Sequence, residues 1–144
     1  MARTHKMLLW AAATDRTFKR THTRGSATLT GKCIHCNRKM TLDLDGTPLS
    51  KATLEHIVPR THGGTHGLHN LAVACSSCNG QKGRRHDHKR WNDPRLQHVI
   101  QTLQERRRDR WRPPPPWLQL PPLPSDCAPD PEEAWPLVVS PSPQ

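Results

Sequence analysis

Leu54-Glu55-His56-Ile57-Val58-Pro59-Arg60, then Gly63-Gly64, Asn70-Leu71 and Ala74-Cys75-Ser76-Ser77-Cys78-Asn79, is the stretch that decides the fold. Thr53 to Val58 predicts a strand closed by Pro59, and the glycines mark a loop. Leu71-Ala72-Val73-Ala74 predicts a second short apolar strand or a helix entry. Taken singly, Glu55 is an ordinary strand carboxylate, His56 a half-buried strand histidine, and Asn70 and Asn79 turn or helix-start residues. Their order along the chain is what makes them informative.

Upstream, Cys33-x-x-Cys36 mirrors Cys75-x-x-Cys78, with 38 residues between the pairs. Two thiolates from one tight turn reach a single ion, and a second such turn completes a tetrahedron. Two disulfides are the competing arrangement. They are disfavoured because Met7 to Ala13, the one apolar run near the N-terminus, has no cleavage-like sequence after it. With only 33% hydrophobic residues the domain also needs a staple, so the four cysteines are read as a structural zinc site. Cys127 has no partner in the pattern, and His35 is a turn residue beside the sulfurs.

The 144 residues carry 22 Lys and Arg against 12 Asp and Glu, a formal charge of +10. No run approaches the roughly 20 apolar residues of a membrane span. Residues 1–112 balance at +14, whereas residues 113–144 balance at −4 and hold twelve of the fifteen prolines. Such a stretch predicts an extended, disordered tail whose Pro121-Pro122-Leu123-Pro124 offers a ligand to an aromatic-grooved protein partner. The basic part predicts a polyanionic partner, DNA before others. Four segments result: a short N-terminal arm or helix over 1–24, a compact domain over 25–90, a basic amphipathic helix within 91–112, and the tail. Asp93-Pro94 supplies the helix cap, and Leu96, Val99, Ile100 and Leu103 its apolar stripe. Met40 to Gly46 alternates like a strand entering a turn.

Residues 31–85 resemble the HNH endonuclease family, in the subgroup whose catalytic hairpin is bracketed by four cysteines. The resemblance rests on the acidic-His-aliphatic-x-Pro strand, the double glycine, Asn70-Leu71 and Cys75-x-x-Cys78-Asn79-x-x-Lys82. It implies a small α+β fold, a ββα-metal hairpin and helix stapled by zinc. It also implies Glu55 as first ligand of a catalytic divalent ion, His56 as general base, Asn70 as the residue holding the loop, and Asn79 as the other ligand. Asparagine stands at Asn79 where the family name has histidine, which favours magnesium or manganese over a nitrogen-preferring ion.

The chemistry asks for the same residue types. Phosphodiester hydrolysis needs an activated water and neutralised phosphoryl charge; a neutral imidazole serves the first, and oxygen ligands on a hard cation the second. Arg60, Lys82, Arg84 and Arg85 are expected against the nucleic-acid backbone, with Lys89, Arg90 and the arginines between Arg106 and Arg112 completing a basic stripe. Trp91 and Trp111 stay open between base stacking and packing on the helix. His62, His66 and His69 are taken as loop surface. The expected function is a metal-dependent, intracellular endonuclease acting on double-stranded DNA. The competitors are a non-catalytic zinc-stapled nucleic-acid-binding protein and an adaptor working through the tail.

Overall fold

The computed structural model describes residues 2–127. Its order is α1 (Arg3–Ala13), β1 (Lys19–Thr23), β2 (Ser26–Lys32), β3 (Lys39–Asp43), β4 (Ala52–His56), β5 (Leu71–Cys75), α2 (Ser76–Lys82) and α3 (Pro94–Arg110). β1, β2 and β3 form an antiparallel meander, while β4 and β5 pair separately as an antiparallel hairpin with His56 opposite Leu71 and Ala52 opposite Cys75. The fold is a small α+β arrangement whose centre is the ββα unit β4–β5–α2.

β5 is buried at every position, because α1 covers one of its faces. Met7, Leu8, Leu9 and Ala11 to Ala13 of α1 are buried in the core with Leu71, Val73 and Ile57. The N-terminal segment is therefore part of the core that supports the hairpin, each buried leucine contributing about 1.5–3 kcal/mol. The sequence left β1 and β2 unread. They close through Arg24-Gly25, both at positive φ (52° and 81°), the two-residue turn whose twist matches a hairpin.

The 57–70 loop owes its shape to the double glycine. Gly63 adopts φ +82°, and a Cβ on Gly64 would lie 1.8 Å from the Val58 carbonyl oxygen. Only glycine permits that second approach.

α3 begins where Asp93 accepts a hydrogen bond from the Arg95 amide, with Pro94 in the first turn. Its arginines correct the expected stripe. Arg107 is fully buried and donates to the Thr14 and Leu68 carbonyls and the Thr14 hydroxyl, with Trp111 beneath its guanidinium at 5.0 Å. Arg106 donates to the carbonyls of Ile34 and His35, Arg110 to Lys32, Cys33 and Asn37, and Arg112 to Ala13 and Phe18. These side chains bind α3 to the first knuckle and to the end of α1; Arg107 and Arg110 are buried there and not available to a phosphate backbone, whereas Arg106 and Arg108 stay exposed.

Residues 113–127 run without regular structure, as their prolines require, but they lie along the domain instead of projecting from it. Leu118 and Cys127 are buried, the Trp10 indole donates to the Pro121 carbonyl at 2.9 Å, and Arg3 forms a forked pair with Asp126 at 2.6 and 2.8 Å. Pro121 to Pro124 belong to this packed strap, and the rest of the expected tail, 128–144, lies outside the described residues. No described helix is long and apolar enough to cross a membrane.

Candidate metal centre and catalytic cleft

Cys33 and Cys36 leave the turn between β2 and β3; Cys75 ends β5 and caps α2, in which Cys78 lies. The four sulfurs all fall within 4.8 Å of one another, with Cys36 and Cys75 at 4.0 Å. None of the four is in a disulfide. Tetrahedral ligands at 2.3 Å from zinc stand roughly 3.8 Å apart, so the donor set and spacing suit that ion. Amides point at the sulfurs: Cys75 and His35 toward Cys33, and Cys78 toward Cys75. Burial pushes the Cys33 and Cys78 thiols up, whereas the Arg38 amide lowers Cys36. The Ile34 amide bonds the Val73 carbonyl at 2.9 Å, and this ties the first knuckle to the β4–β5 hairpin.

One turn of chain away, Glu55, His56, Arg60, Asn79 and Asp87 line an open cleft of about 240 Å³. Glu55 and His56, neighbours on a strand, leave it in different directions. Glu55 is 1% exposed; its Oε1 lies 2.6 Å from His35 Nε2 and its Oε2 3.1 Å from Lys82 Nζ. His56 is half-buried and its Nε2 lies 2.9 Å from His66 Nδ1. Burial lowers the His56 pKa below its ordinary 6.5; His66 and Arg60 push in the same direction and Glu55 opposes them. The imidazole is thus held neutral around pH 7.

Asn79 sits on α2 with its amide nitrogen donating to the Thr53 hydroxyl and the Leu54 carbonyl, both at 3.1 Å. Anchored by nitrogen, the carboxamide is left with its oxygen as the available ligand atom. Asn70 lies outside the cleft. It is buried, accepts from the Val58 amide at 2.8 Å, and donates to the Val58 and Thr65 carbonyls. These bonds fix the 57–70 loop.

The residues fit a hard divalent ion at Glu55 and Asn79. An ionised carboxylate has about four lone-pair sites, and His35 and Lys82 use two of those on Glu55. Lys82 departs from its expected place: it is 2% exposed, bridging Glu55 to Asp87 at 2.8 Å and donating to the His56 carbonyl. The π turn Gly83–Asp87 after α2 carries Asp87 back to this position. Arg60, Arg84 and Arg85 are exposed, Arg60 on the rim of the cleft. His35, read from the sequence as a turn residue, and His66, read as loop surface, are site neighbours, as is Asp87, to which the sequence assigned no role. The sole hint was the density of histidine, since His35 and Glu55 are twenty residues apart.

Trp91 is exposed against His62, the ring centres 5.6 Å apart. Residues 33–85 match the model of the HNH endonuclease family. No curated protein and no solved structure matches the chain. With the ββα hairpin and the four-cysteine cluster both inside it, the matched segment identifies residues 33–85 as a domain of the HNH endonuclease family.

Proposed function

We propose that this chain is a metal-dependent endonuclease hydrolysing phosphodiester bonds of double-stranded DNA, with a structural zinc ion on Cys33, Cys36, Cys75 and Cys78. The observation that carries this is the convergence of Glu55, His56 and Asn79 on one open cleft from a strand and a helix. Glu55 and Asn79 would hold magnesium or manganese, which when bound supplies Lewis acidity and steadies the leaving oxygen.

His56 does the proton work. In the tautomer whose Nε2–H donates to His66 Nδ1, the lone pair on His56 Nδ1 accepts the proton of the attacking water. The depressed pKa keeps that lone pair available. Arg60 stands at the rim to meet a phosphate, with Arg84 and Arg85 exposed beyond α2. Asn70 and Lys82 act as positioning residues, for the loop and for the Glu55 carboxylate.

One observation favours a second reading. Both Glu55 oxygens are already engaged inside the fold, one by the His35 ring nitrogen and one by the Lys82 ammonium, as they would be in a non-catalytic zinc-stapled nucleic-acid-binding protein. Plasmid nicking by zinc-loaded protein with magnesium or manganese separates the two. The nuclease predicts relaxation of supercoiled DNA that drops by about 10²–10⁴-fold in His56→Ala. Equal cutting by both proteins refutes the role of His56. No cutting by either, with salt-sensitive DNA binding by both, establishes the binding module.

A further inference from the structure

A second groove, of about 430 Å³, lies where the β1–β2–β3 meander meets the first cysteine knuckle, lined by Arg16, Lys19, Thr30, Lys32, Asn37 and Lys39 among others. Strand register explains the cluster. Lys19 stands opposite Thr30, and Lys32 opposite Lys39, so alternation puts all four on one face of the sheet. The other face carries Leu29, Met40 and Leu42 into the core.

Three features of the polar face point to a ligand. Like charges directly opposite across strands are unfavourable, yet Lys32 and Lys39 occupy that arrangement. Among the described residues, no carboxylate lies within ion-pair distance of Arg16, Lys19, Lys32 or Lys39, whereas Lys82, Arg3 and Arg110 are each paired. Next to the lysines the face carries a ladder of hydroxyls, Thr21, Thr28, Thr30 and Thr41, bonded to one another at 2.7–3.2 Å, and its one strand carboxylate, Asp43, stands opposite Thr28 at the end away from Lys32 and Lys39. The face holds no aromatic ring on which an unstacked base would rest. Ammonium groups and hydroxyls without aromatics suit phosphate oxygens and carry no base information.

The geometry points to a second DNA contact: the sugar-phosphate backbone of the duplex, away from the scissile bond, crosses this groove and is held by Arg16, Lys19, Lys32 and Lys39. The assignment rests on the nuclease reading only in taking duplex DNA as the polyanion. Three of the four residues precede the segment that matches the family, so the contact belongs to this chain's own N-terminal meander.

The test is the salt dependence of binding, with the full zinc-loaded chain and a 30-base-pair duplex of about that length. Lys19→Gln/Lys32→Gln/Lys39→Gln is compared with wild type and with Lys19→Arg/Lys32→Arg/Lys39→Arg. Each lost phosphate contact removes about 0.9 from the slope of log K against log salt, so the glutamine variant should lose about 2–3. Its affinity should fall roughly 10- to 100-fold at 0.1 M salt, and the arginine variant should keep both slope and affinity. Zinc content and far-UV circular dichroism, unchanged by exposed substitutions, certify the fold. An unaltered slope in the glutamine variant overturns the groove while leaving the nuclease intact. Loss of binding to single-stranded DNA or RNA, with duplex binding unaffected, overturns the choice of duplex. A wild-type chain that binds no duplex removes the nuclease reading and the groove together.

Discussion

The arginines at the end of α3 and the lysines of the three-stranded sheet carry the same charge in opposite circumstances. Arg106, Arg107, Arg110 and Arg112 spend their donors on carbonyl oxygens of the first knuckle, α1 and the loop before β5. Lys19, Lys32 and Lys39 meet no carboxylate among the described residues, and two of them face each other. A planar fork with five donors can satisfy several carbonyls at once, whereas an ammonium on a flexible stem prefers water or an incoming anion. The difference teaches that net charge locates a partner only after the cations consumed by the fold are removed from the count.

Arg107 gives the largest expected effect. Burial pushes its pKa down to about 10 while Asp15 pulls it back, so it stays charged at neutral pH with its donors on Thr14 and Leu68. Arg107→Ala removes the guanidinium from the Thr14 hydroxyl and from the Thr14 and Leu68 carbonyls, which keep the Arg112 and Leu71 amides, and opens a void between α1 and α3. The expected loss is about 2–5 kcal/mol of unfolding free energy, from the packing of a fully buried long side chain and its charge-assisted hydrogen bonds. Urea unfolding of the zinc-loaded protein measures it. A loss under about 1 kcal/mol would make Arg107 a surface cation like the lysines and dissolve the contrast.

Lys32 reads the other side of the comparison through the sign of its effect. Lys32→Glu turns the cross-strand pair with Lys39 from repulsive to attractive, so stability should rise by about 0.2–1 kcal/mol. DNA affinity should fall at the same time. Opposite movement of the two quantities separates a functional charge from a structural one. If stability fell as well, weaker binding would merely report a damaged sheet.

How much of this was legible in the sequence follows from distance along the chain. The β4–β5–α2 unit could be read because its signals are local: Pro59 closes a strand, Gly63 and Gly64 shape a loop, and each cysteine pair is a single turn. The meander escaped because its alternation is written in threonine, with Arg24-Gly25 as a turn in which arginine takes a left-handed conformation. α1 was legible as a helix or arm but not as a wall of the core, because burial depends on which surface it covers. The fate of each cation was hidden for the same reason. Arg107 meets Thr14 across 93 residues, and the pairing of Lys82 with Glu55 depends on where α2 lies against β4. At the site, the sequence named the residues facing the cleft and missed His35, His66 and Asp87, which hold them.

Arg3 is a third kind of cation, exposed like the lysines and paired like the arginines, and its effect should be the smallest. Its guanidinium forks onto Asp126 and ties α1 to the strap. The hydrogen bond from Arg3 holds the Asp126 carboxyl below its ordinary 3.8. A carboxylate whose folded pKa is depressed contributes stability in full above its unfolded value, and loses it as pH falls through the lower folded one. Between pH 5 and 8 the pair should therefore be insensitive to pH, and below about pH 4 the strap should loosen first. Carboxyl titration by NMR tests this directly. In Arg3→Ala the Asp126 pKa should return toward 3.8, with no change in the environment of His56 at the cleft. A pKa that stays depressed without Arg3 would mean that another group holds Asp126, and that the strap is tied to the domain by that group, by Trp10 and by the burial of Leu118 and Cys127, not by Arg3.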